Sequence, residues 1–387
     1  MDFCLTEEQV ALQDMLRRFI AEHAGLQQRR LDSASQDGFS REGWQQLCDL
    51  GVSGLPFPED YGGIGGGAVD VMLVMESVGR GLLLQPFLAT VVLAGGLVRQ
   101  VGADVHKNVL LPAIATGSML MALAHYEPGS RYAMNQVATA AVRTATGWRL
   151  TGTKSVVLGA ATADMLIVSA RTSGAPTDAN GISLFLVDRT AKGVGMRAFR
   201  THDEARAADI HLDDVEIPAD ALLGPLGEAT PALERVLTQA NAALCAEAVG
   251  INFALIEATV EYLKTRRQFG VPLASFQALR HRVADMYCAA EQARSITYWA
   301  TLKSGDSAPL ESHRAVSGAK ALVMRCSRLV GQEAVQLHGG MGVTEELIIG
   351  HYFKRLTMIG ASFGDGDYHL ARFGDAMVVG NRDSALL

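Results

Sequence analysis

The sequence predicts a mostly α-helical protein with a β domain in its middle. Long segments with helical spacing of apolar residues fill the first and last thirds, whereas short segments rich in Val, Ile and Thr lie between about Met119 and Gly227. A chain of 387 residues also exceeds what one hydrophobic core usually organises. We therefore predict a helical domain at residues 1–118, a β-barrel or β-sandwich at 119–226 and a four-helix bundle at 227–387.

The first third predicts a series of helices. The segment that follows Thr6 places apolar residues on one helical face, with Thr6 as the N-cap and acids in the first turn. A second helix is expected over Arg41–Leu50, before a turn-rich stretch, and a third over about Val69–Val78. Two more are expected within Pro86–Thr116.

The middle and last parts of the chain differ in the spacing of their apolar residues. Short β-like segments, among them VATAAVRTA and ISLFLVDR, are separated by Gly, Asn, Asp or Pro turns, and the run ends in LLGPLGEA. Helical spacing then returns over four segments: Pro231–Thr265, Phe276–Lys303, Leu310–His338 and Glu346–Leu356. Helices longer than roughly 20 residues with apolar stripes on more than one face predict a bundle that also packs against another subunit.

Composition and charge narrow the range of partners. A formal charge of −7 without a basic run argues against nucleic acid, and no apolar run reaches the roughly 18 residues expected of a membrane span. Early acids in the N-terminal segment argue against a secretory or transit peptide. The five cysteines are odd in number and lack CxxC spacing, so neither a disulfide framework nor a metal site is expected. A reducing cytoplasm fits these features best.

The stretch Arg355–Arg372, RLTMIGASFGDGDYHLAR, is the main candidate for a functional turn. Asp365 and Asp367 alternate there with Gly364 and Gly366, after an apolar run and before a helix-like segment. Glycine lets the backbone approach a ligand closely while the neighbouring carboxylates point at it. We therefore predict a ligand-binding turn at this position.

Several motifs in a fixed order resemble those of the acyl-CoA dehydrogenase family. They are LGVSGLPFPEDYGG at Leu50–Gly63, GWRLTGTK at Gly147–Lys154, LDDVEIPADALLG at Leu212–Gly224, YLKTRRQFG at Tyr262–Gly270, Phe276-Gln277 followed by Ala284-Asp285-Met286, and QLHGGMG at Gln336–Gly342. Together they span nearly the whole chain. The resemblance implies the fold of that family, with a helical domain, a β domain and a four-helix bundle in that order.

The resemblance also implies a chemistry. Members of the family use FAD to desaturate an acyl-CoA thioester: a base removes the α-proton while a hydride leaves the β-carbon for flavin N5, and the electrons pass to an electron-transfer flavoprotein. The α-proton is acidic enough only when the thioester carbonyl is polarised, so base, carbonyl donors and flavin must be held together in a dry pocket. The implied assembly is a homotetramer or an α2β2 heterotetramer with a paralogous subunit.

On the cofactor side, the resemblance implies residues that surround FAD. Arg266 falls on the arginine that reaches the FAD diphosphate of a neighbouring subunit, and a guanidinium fork suits a diphosphate. The other implied residues are Gln268, Phe269, Gln277, Gln336, Gly339 and Gly340, with the two glycines as bare backbone beside the ADP part. The alternatives are a cation at a helix terminus, preferred for Arg267, and a Gly-Gly helix stop.

On the flavin-ring side, the sequence departs from the family pattern. The TEPxxGSD-like loop of the family is here Tyr126–Arg131, YEPGSR, which is two residues shorter, although Ser130 is retained and is assigned to the cofactor by the resemblance. The ring-packing tryptophan is replaced by Val156, and the following threonine by Leu158. An isobutyl group cannot hydrogen-bond a flavin carbonyl, so the ring site of this subunit is weakened.

The catalytic base is the second departure. The family glutamate in a YEGT-like turn falls here on Phe363 or Gly364, depending on register. The alternative location of the base, on the first bundle helix, falls on Ala240, with Asn241 beside it. Neither location supplies a glutamate.

Asp365 is the nearest carboxylate and the candidate base. Burial against substrate would raise the pKa of an aspartate, which suits a base that works near neutral pH. The alternative for Asp365 is a turn residue that hydrogen-bonds its own backbone. Asp367 is expected to be a helix N-cap, and Glu247 to pair between helices, with a role as the base as its alternative.

Two hypotheses of different classes follow. In the first, the chain is an active FAD enzyme with Asp365 as its base. It is then most like the small subunit of two-component dehydrogenases of the pimeloyl-CoA type, acting on dicarboxylyl or otherwise bulky acyl chains. In the second, the chain is a non-catalytic partner subunit that completes the FAD site of another chain. A flavin oxidase or monooxygenase on the same fold is a third option.

Overall fold

The computed structural model describes residues 4–305 and 308–384, and the side chains up to residue 378. The helices of the first 118 residues are α1 (Glu7–His23), α2 (Leu26–Ala34), α3 (Arg41–Asp49), α4 (Ala68–Gly81), α5 (Gly96–Val101) and α6 (Asp104–Ala115), with a π-helical segment, Phe87–Gly95, before α5. Thr6 caps α1 as predicted, because its hydroxyl accepts the N–H of Gln9 while the Gln9 side chain accepts the N–H of Thr6.

The middle of the chain forms one eight-stranded, mostly antiparallel sheet. Its strands are β1 (Met121–Ala124), β2 (Ala140–Arg143), β3 (Gly147–Leu158), β4 (Met165–Arg171), β5 (Ile182–Asp188), β6 (Val194–Arg200), β7 (Arg206–Pro218) and β8 (Leu222–Leu223). They lie in the order β6-β7-β3-β2-β4-β5-β8, and β1 pairs in parallel with β4. Trp148, Phe185 and Ile210 lie in a buried cluster on this sheet. The predicted β domain is confirmed.

The last part of the chain is helical, apart from one small hairpin. Its helices are α7 (Thr230–Thr265), α8 (Gln277–Ser304), α9 (Pro309–His338), α10 (Ile348–Ala361) and α11 (Gly366–Ser384), and the hairpin pairs β9 (Arg267–Gln268) with β10 (Val271–Pro272). Small buried side chains of α7, α8 and α9 meet in a cluster that includes Ala242, Ala300 and Ala319. The four predicted helices are present, and α11 adds a fifth.

The polypeptide divides into two compact units. The first, here called the helical unit, combines Met1–Leu31, Ala68–Leu83 and Asn241–Leu387. The second, here called the sheet unit, combines Asp32–Gly67 and Leu84–Ala240. Each unit therefore draws on segments distant in sequence, and the three-domain boundaries given above stay a prediction.

Helix α7 is the one described helix with the length and apolar composition needed to cross a membrane. Its most apolar window of 18 residues has a mean hydropathy of 1.5, and 72% of that window is buried inside the chain. The central helix of a packed bundle has the same composition, because it is covered on most faces by neighbouring helices.

Helices α4 and α7 touch through their backbones within the helical unit. A Cβ atom added at Gly250 would lie 1.9 Å from the carbonyl oxygen of Glu76, and one added at Gly79 would lie 2.0 Å from that of Glu247. Glycine is required at both crossings because no side chain fits between the two backbones. This contact fixes the part of α7 that carries Glu247.

We predict that Gly250→Ala destabilises the protein by about 1–3 kcal/mol, because the added methyl group forces α4 and α7 apart. Gly374→Ala on α11 is the matched control, since an added Cβ there meets nothing within 4 Å. That variant should gain up to about 1 kcal/mol, because alanine favours the helix. Urea unfolding measures both changes, and equal midpoints for the two variants would contradict the close crossing.

Candidate functional site

The turn between α10 and α11 is shaped by two residues with positive φ. Phe363 has φ 55° and Gly364 has φ 117°, after which α11 begins at Gly366. The Asp365 carboxylate accepts the N–H of Tyr368 at 2.9 Å through Oδ1, and the Asp365 carbonyl accepts the N–H of His369 at 3.0 Å. Asp365 is therefore the N-cap of α11. The prediction that Asp367 is the cap is wrong, because α11 already starts at Gly366 and Asp367 lies in its first turn.

The Phe363 carbonyl is held by two side chains. Asn241 of α7 donates to it through Nδ2 at 3.4 Å, and His369 of α11 approaches it through Nε2 at 3.2 Å. The other ring nitrogen of His369, Nδ1, lies 3.2 Å from the Ser317 hydroxyl of α9. Because a carbonyl can only accept, Nε2 carries the proton and Nδ1 accepts from Ser317. The turn is thus tied to three helices of the helical unit.

His369 is neutral at physiological pH. The imidazole is 3% exposed, and burial, together with the positive charge of Lys320, lowers its pKa from 6.5 to about 3. Lys320 is itself fully buried and donates to the Ile359 carbonyl at 2.8 Å. Burial lowers the pKa of Lys320 to about 8.

One contact at this turn involves a residue beside a position that the resemblance implies for the base. Asn241, which follows Ala240, donates to the carbonyl of Phe363, one of the two positions implied in the turn. Gly364 has no space for a side chain, since an added Cβ would lie 2.5 Å from Tyr368 Cδ1 and 2.6 Å from His369 Nε2. Of positions 363 and 364, only 363 can therefore carry a side chain, and that side chain is a phenyl ring.

Glu247 is held in an ion pair. Arg355 of α10 donates to both of its carboxylate oxygens, from Nε at 2.5 Å and from Nη2 at 2.7 Å, and the Glu247 side chain is 2% exposed. Such a bidentate, buried pair is strong and directional. The predicted interhelical pairing of Glu247 is confirmed, which leaves this carboxylate committed to Arg355.

Four of the predicted cofactor residues lie at the exposed end of α7 and the start of α8. Arg266 follows α7, Gln268 and Phe269 belong to the β9–β10 hairpin, and Gln277 is the first residue of α8. All four are exposed, and Phe269 is 88% exposed at the tip of a two-residue turn in which it and Gly270 have φ of 54° and 81°. The side chains of Arg266, Gln268 and Gln277 hydrogen-bond to no residue of the described chain.

Three more of the predicted cofactor residues, Gln336, Gly339 and Gly340, lie at the end of α9. All three are exposed, and an added Cβ at either glycine would meet nothing within 4 Å. Tyr262 of α7 stacks on His338 of α9, so this end of α9 adjoins the end of α7 that leads to Arg266. The structure thus brings these predicted residues to one exposed face of the helical unit. Guanidinium, amide and bare backbone groups are a donor set that suits a diphosphate and its nucleoside.

The segment that the resemblance assigns to the flavin ring lies in the sheet unit. Two of its residues, Ser130 and Glu127, hydrogen-bond to each other. The Ser130 hydroxyl is 3% exposed, donates to the Glu127 carbonyl at 2.9 Å and accepts the Glu127 N–H at 3.2 Å. The Tyr126 carbonyl accepts the N–H of Ser155 at 2.9 Å, which joins this loop to β3. Val156, with φ 53°, is 53% exposed. The Ser130 hydroxyl is therefore already engaged within its own loop.

Sequence reasoning missed a buried charged pair beneath this loop. Lys154 is 0% exposed and donates to Glu127 Oε1 at 2.7 Å and to Ser169 at 3.1 Å, while Glu127 also accepts the N–H groups of Ala138 and Thr139. Burial lowers the pKa of Lys154 to about 8. Burial would raise the pKa of Glu127, but the Lys154 charge brings it below its ordinary value. Both residues lie within the GTK and EPGS motifs, but neither motif shows that the two side chains are paired.

A metal site is not formed by the described residues. Within residues 4–305 and 308–384, no group of three or more His, Cys, Asp and Glu side chains is arranged to hold an ion.

We predict that acid destabilises the protein in part through His369. Its pKa in the folded protein, about 3, lies below the ordinary 6.5, so the unfolded chain binds more protons between these values. This contribution is complete above pH 6.5 and is lost as the pH falls toward about 3, by up to about 1.4 kcal/mol per pH unit. Urea unfolding of wild type and His369→Gln between about pH 4 and 7 should give the shallower pH dependence for the variant.

His125 of the sheet unit is present in both proteins and makes a similar contribution, because burial lowers its pKa to about 3 as well. The difference between the two slopes therefore reports on His369 alone. Parallel slopes would contradict a neutral, buried His369.

Comparison with protein families finds three consecutive matches. The family models described as "Acyl-CoA dehydrogenase, N-terminal domain", "middle domain" and "C-terminal domain" match residues 6–118, 122–215 and 230–378. Among curated proteins, acyl-CoA dehydrogenase FadE12 of Mycobacterium tuberculosis is 30% identical over 349 residues, which are 89% of this chain and 89% of that protein.

Solved structures agree over the full length. A variant of the Tcur3481-Tcur3483 steroid ACAD is 31% identical with a TM-score of 0.86, covering 97% of this chain and 99% of that chain. The ChsE4-ChsE5 complex from Mycobacterium tuberculosis is 25% identical with a TM-score of 0.87, covering 98% and 99%. The FAD complex of PigA is 25% identical with a TM-score of 0.89, covering 99% and 100%.

Proposed function

Because the chain belongs to the acyl-CoA dehydrogenase family of FAD-dependent oxidoreductases, we propose that it works as one of two unlike subunits in a heteromeric acyl-CoA dehydrogenase. Its task in that assembly is to complete the FAD site of the partner chain. The assembly takes an acyl-CoA thioester, passes electrons to an electron-transfer flavoprotein and works in the cytoplasm.

The observation that carries this proposal is the missing base. Position 363 carries a phenyl ring, Gly364 has no space for a side chain, and Asn241 is a neutral amide engaged with the Phe363 carbonyl. Asp365 caps α11, and Glu247 is paired with Arg355. Proton abstraction at the thioester α-carbon needs a carboxylate in this place. A subunit that lacks one serves the reaction by binding rather than by moving the proton.

The residues that this chain would lend lie on the exposed face of the helical unit. Arg266 would bind the diphosphate of FAD through its guanidinium, while Gln336 and the backbone at Gly339 and Gly340 would contact the adenosine. FAD, when bound, supplies the acceptor for the hydride. The exposed guanidinium and amides support this role, because donors without partners among the described residues are available to a second molecule.

Two solved structures of similar chains support a heteromer and a bulky substrate. One is named as a complex of ChsE4 with ChsE5, and another, Tcur3481-Tcur3483, is named with two components and as a steroid ACAD. We therefore propose that the acyl group is bulky.

An active subunit with Asp365 as base is the second candidate. Only Oδ1 of this carboxylate is engaged, by the N–H of Tyr368, and Oδ2 has no hydrogen-bond partner within the described chain. The side chain is half-buried, and the flanking Gly364 and Gly366 allow a ligand to come near. In this case the chain would also assemble as a homotetramer.

FAD stoichiometry tests the partner role. We predict that the chain purified alone carries less than one FAD per subunit, and that its complex with a paralogous acyl-CoA dehydrogenase chain carries about one FAD per pair of unlike subunits. Arg266→Gln in this chain should weaken FAD binding to the complex by roughly 10- to 100-fold, the effect of a lost charge-assisted hydrogen bond. Flavin absorbance after ultrafiltration measures both quantities.

Arg18→Gln is the matched control, because Arg18 is an exposed arginine on α1. It should leave the FAD content unchanged. Full FAD loading and dehydrogenation by the chain alone would contradict the partner role.

Asp365→Asn separates the two candidates. Asparagine caps a helix as well as aspartate, so the fold is preserved while a carboxylate base is removed. We predict unchanged turnover of the heteromeric complex with an electron-accepting dye, and we predict that Asp365→Ala lowers the free energy of unfolding by about 0.5–2 kcal/mol.

Asp367→Asn is the control for the loss of one negative charge near the turn. A fall in turnover of more than about 100-fold for Asp365→Asn alone, at normal stability, would make Asp365 the base.

A further inference from the structure

The ends of α7 and α9 are joined by one aromatic contact within the helical unit. The rings of Tyr262 and His338 stack with their centroids 4.4 Å apart and their planes at 28°. The Tyr262 hydroxyl also donates to the backbone carbonyl of His338 at 3.4 Å. This contact links the last turn of α7 to the last residue of α9.

The His338 ring is fixed in its orientation. It is 4% exposed, and Nδ1 lies 2.7 Å from the Ala334 carbonyl one turn earlier in α9. Because a carbonyl only accepts, Nδ1 carries the proton. Burial lowers the pKa of His338, so the ring is neutral at physiological pH. A neutral, buried ring with one fixed hydrogen bond is a rigid platform for the tyrosine.

The two stacked residues stand directly behind the exposed groups at each helix end. Arg266 follows Tyr262 by one helical turn, and its backbone N–H donates to the Tyr262 carbonyl at 2.8 Å. Gly339, with φ 61°, follows His338 immediately. The stack therefore sets the separation between the Arg266 backbone and the Gly339–Gly340 backbone.

We propose that Tyr262 and His338 are positioning residues, which hold Arg266 and the Gly339–Gly340 backbone at the spacing needed to bind the diphosphate and the adenosine of one FAD molecule together. This inference rests on the proposed function, because it assigns the exposed face to a FAD that a partner chain carries.

The physical reason is preorganisation. A dinucleotide presents its diphosphate and its adenosine at a limited range of separations, so two binding elements that move independently must be ordered when it binds. Helix ends fray and carry few packing contacts of their own. Because one stacked pair holds both helix ends, they are already ordered when the protein folds, and FAD binding no longer carries the entropy cost of ordering them.

A double-mutant cycle in the heteromeric complex tests this role. Tyr262→Leu removes the stack and the hydroxyl, and we expect FAD binding to weaken by about 10-fold, whereas Tyr262→Phe keeps the stack and should stay within about 3-fold of wild type. If Tyr262 acts through Arg266, the double variant Tyr262→Leu/Arg266→Gln binds FAD little more weakly than Arg266→Gln alone. Dissociation constants are measured by flavin fluorescence, with FAD as the titrant.

Two controls distinguish positioning from a general loss of structure. Tyr287→Leu on α8 makes the same change at a tyrosine that is 50% exposed, and it should leave FAD binding unchanged. The Tm of the FAD-free complex is measured for each variant. If Tyr262→Leu prevents assembly of the complex, His338→Gln, which removes the stack from the other side, replaces it in the cycle.

The outcomes separate the inference from the proposed function. If Arg266→Gln leaves FAD binding unchanged, the partner role fails. If Arg266→Gln weakens binding but Tyr262→Leu does not, or if the effects of the two changes simply multiply, the positioning role fails and the partner role stands.

Discussion

The structure of the candidate site depends on the hydrogen bonds to one backbone carbonyl, that of Phe363. It accepts from Asn241 and from His369, so a turn with positive φ at two successive residues is held by α7 and α11, and through Ser317 by α9. A bulky residue with positive φ is costly and persists only where surrounding contacts enforce it. This arrangement needs a neutral His369. Only the tautomer with a protonated Nε2 and an unprotonated Nδ1 can donate to the Phe363 carbonyl and accept from the Ser317 hydroxyl.

The turn is held firmly by these contacts, and under the proposed partner role it carries no base. A phenyl ring occupies position 363, one of the two positions that the family resemblance assigns to the carboxylate. The nearby carboxylates have other partners: Asp365 stabilises the first turn of α11, and Glu247 neutralises Arg355. Removing either partner of the Glu247–Arg355 pair would leave a buried charge, so Glu247 is not available for proton transfer without a large cost in stability.

The sequence predicted the architecture well because hydrophobic period and motif order report directly on it. The change of period near Met119 marked the start of the sheet, and the capping box at Thr6 marked the start of α1. The N-cap of α11 was assigned to the wrong aspartate, since Asp365 and Asp367 have the same chemistry and only the start of the helix distinguishes them. The Lys154–Glu127 pair was missed for a different reason. Nothing in a local pattern shows that a lysine on β3 is fully buried or that a glutamate 27 residues earlier lies against it.

The polar side chains of the two units differ in how many hydrogen bonds they form within the chain. The difference matches the proposal that this chain contributes to the diphosphate side of a cofactor site and not to the flavin-ring side. In the sheet unit, the Ser130 hydroxyl bonds within its own loop and the Glu127 carboxylate bonds Lys154, so neither of these two groups is left for a flavin ring. In the helical unit, Arg266, Gln268, Gln277 and Gln336 are exposed and form no side-chain hydrogen bonds within the described chain. An exposed arginine without a ligand is bonded only to water, whereas an arginine held on a preorganised helix end forms strong bidentate bonds to a diphosphate. This difference supports the proposal that the chain completes a cofactor site in another subunit, because the diphosphate-side donors have no partners among the described residues.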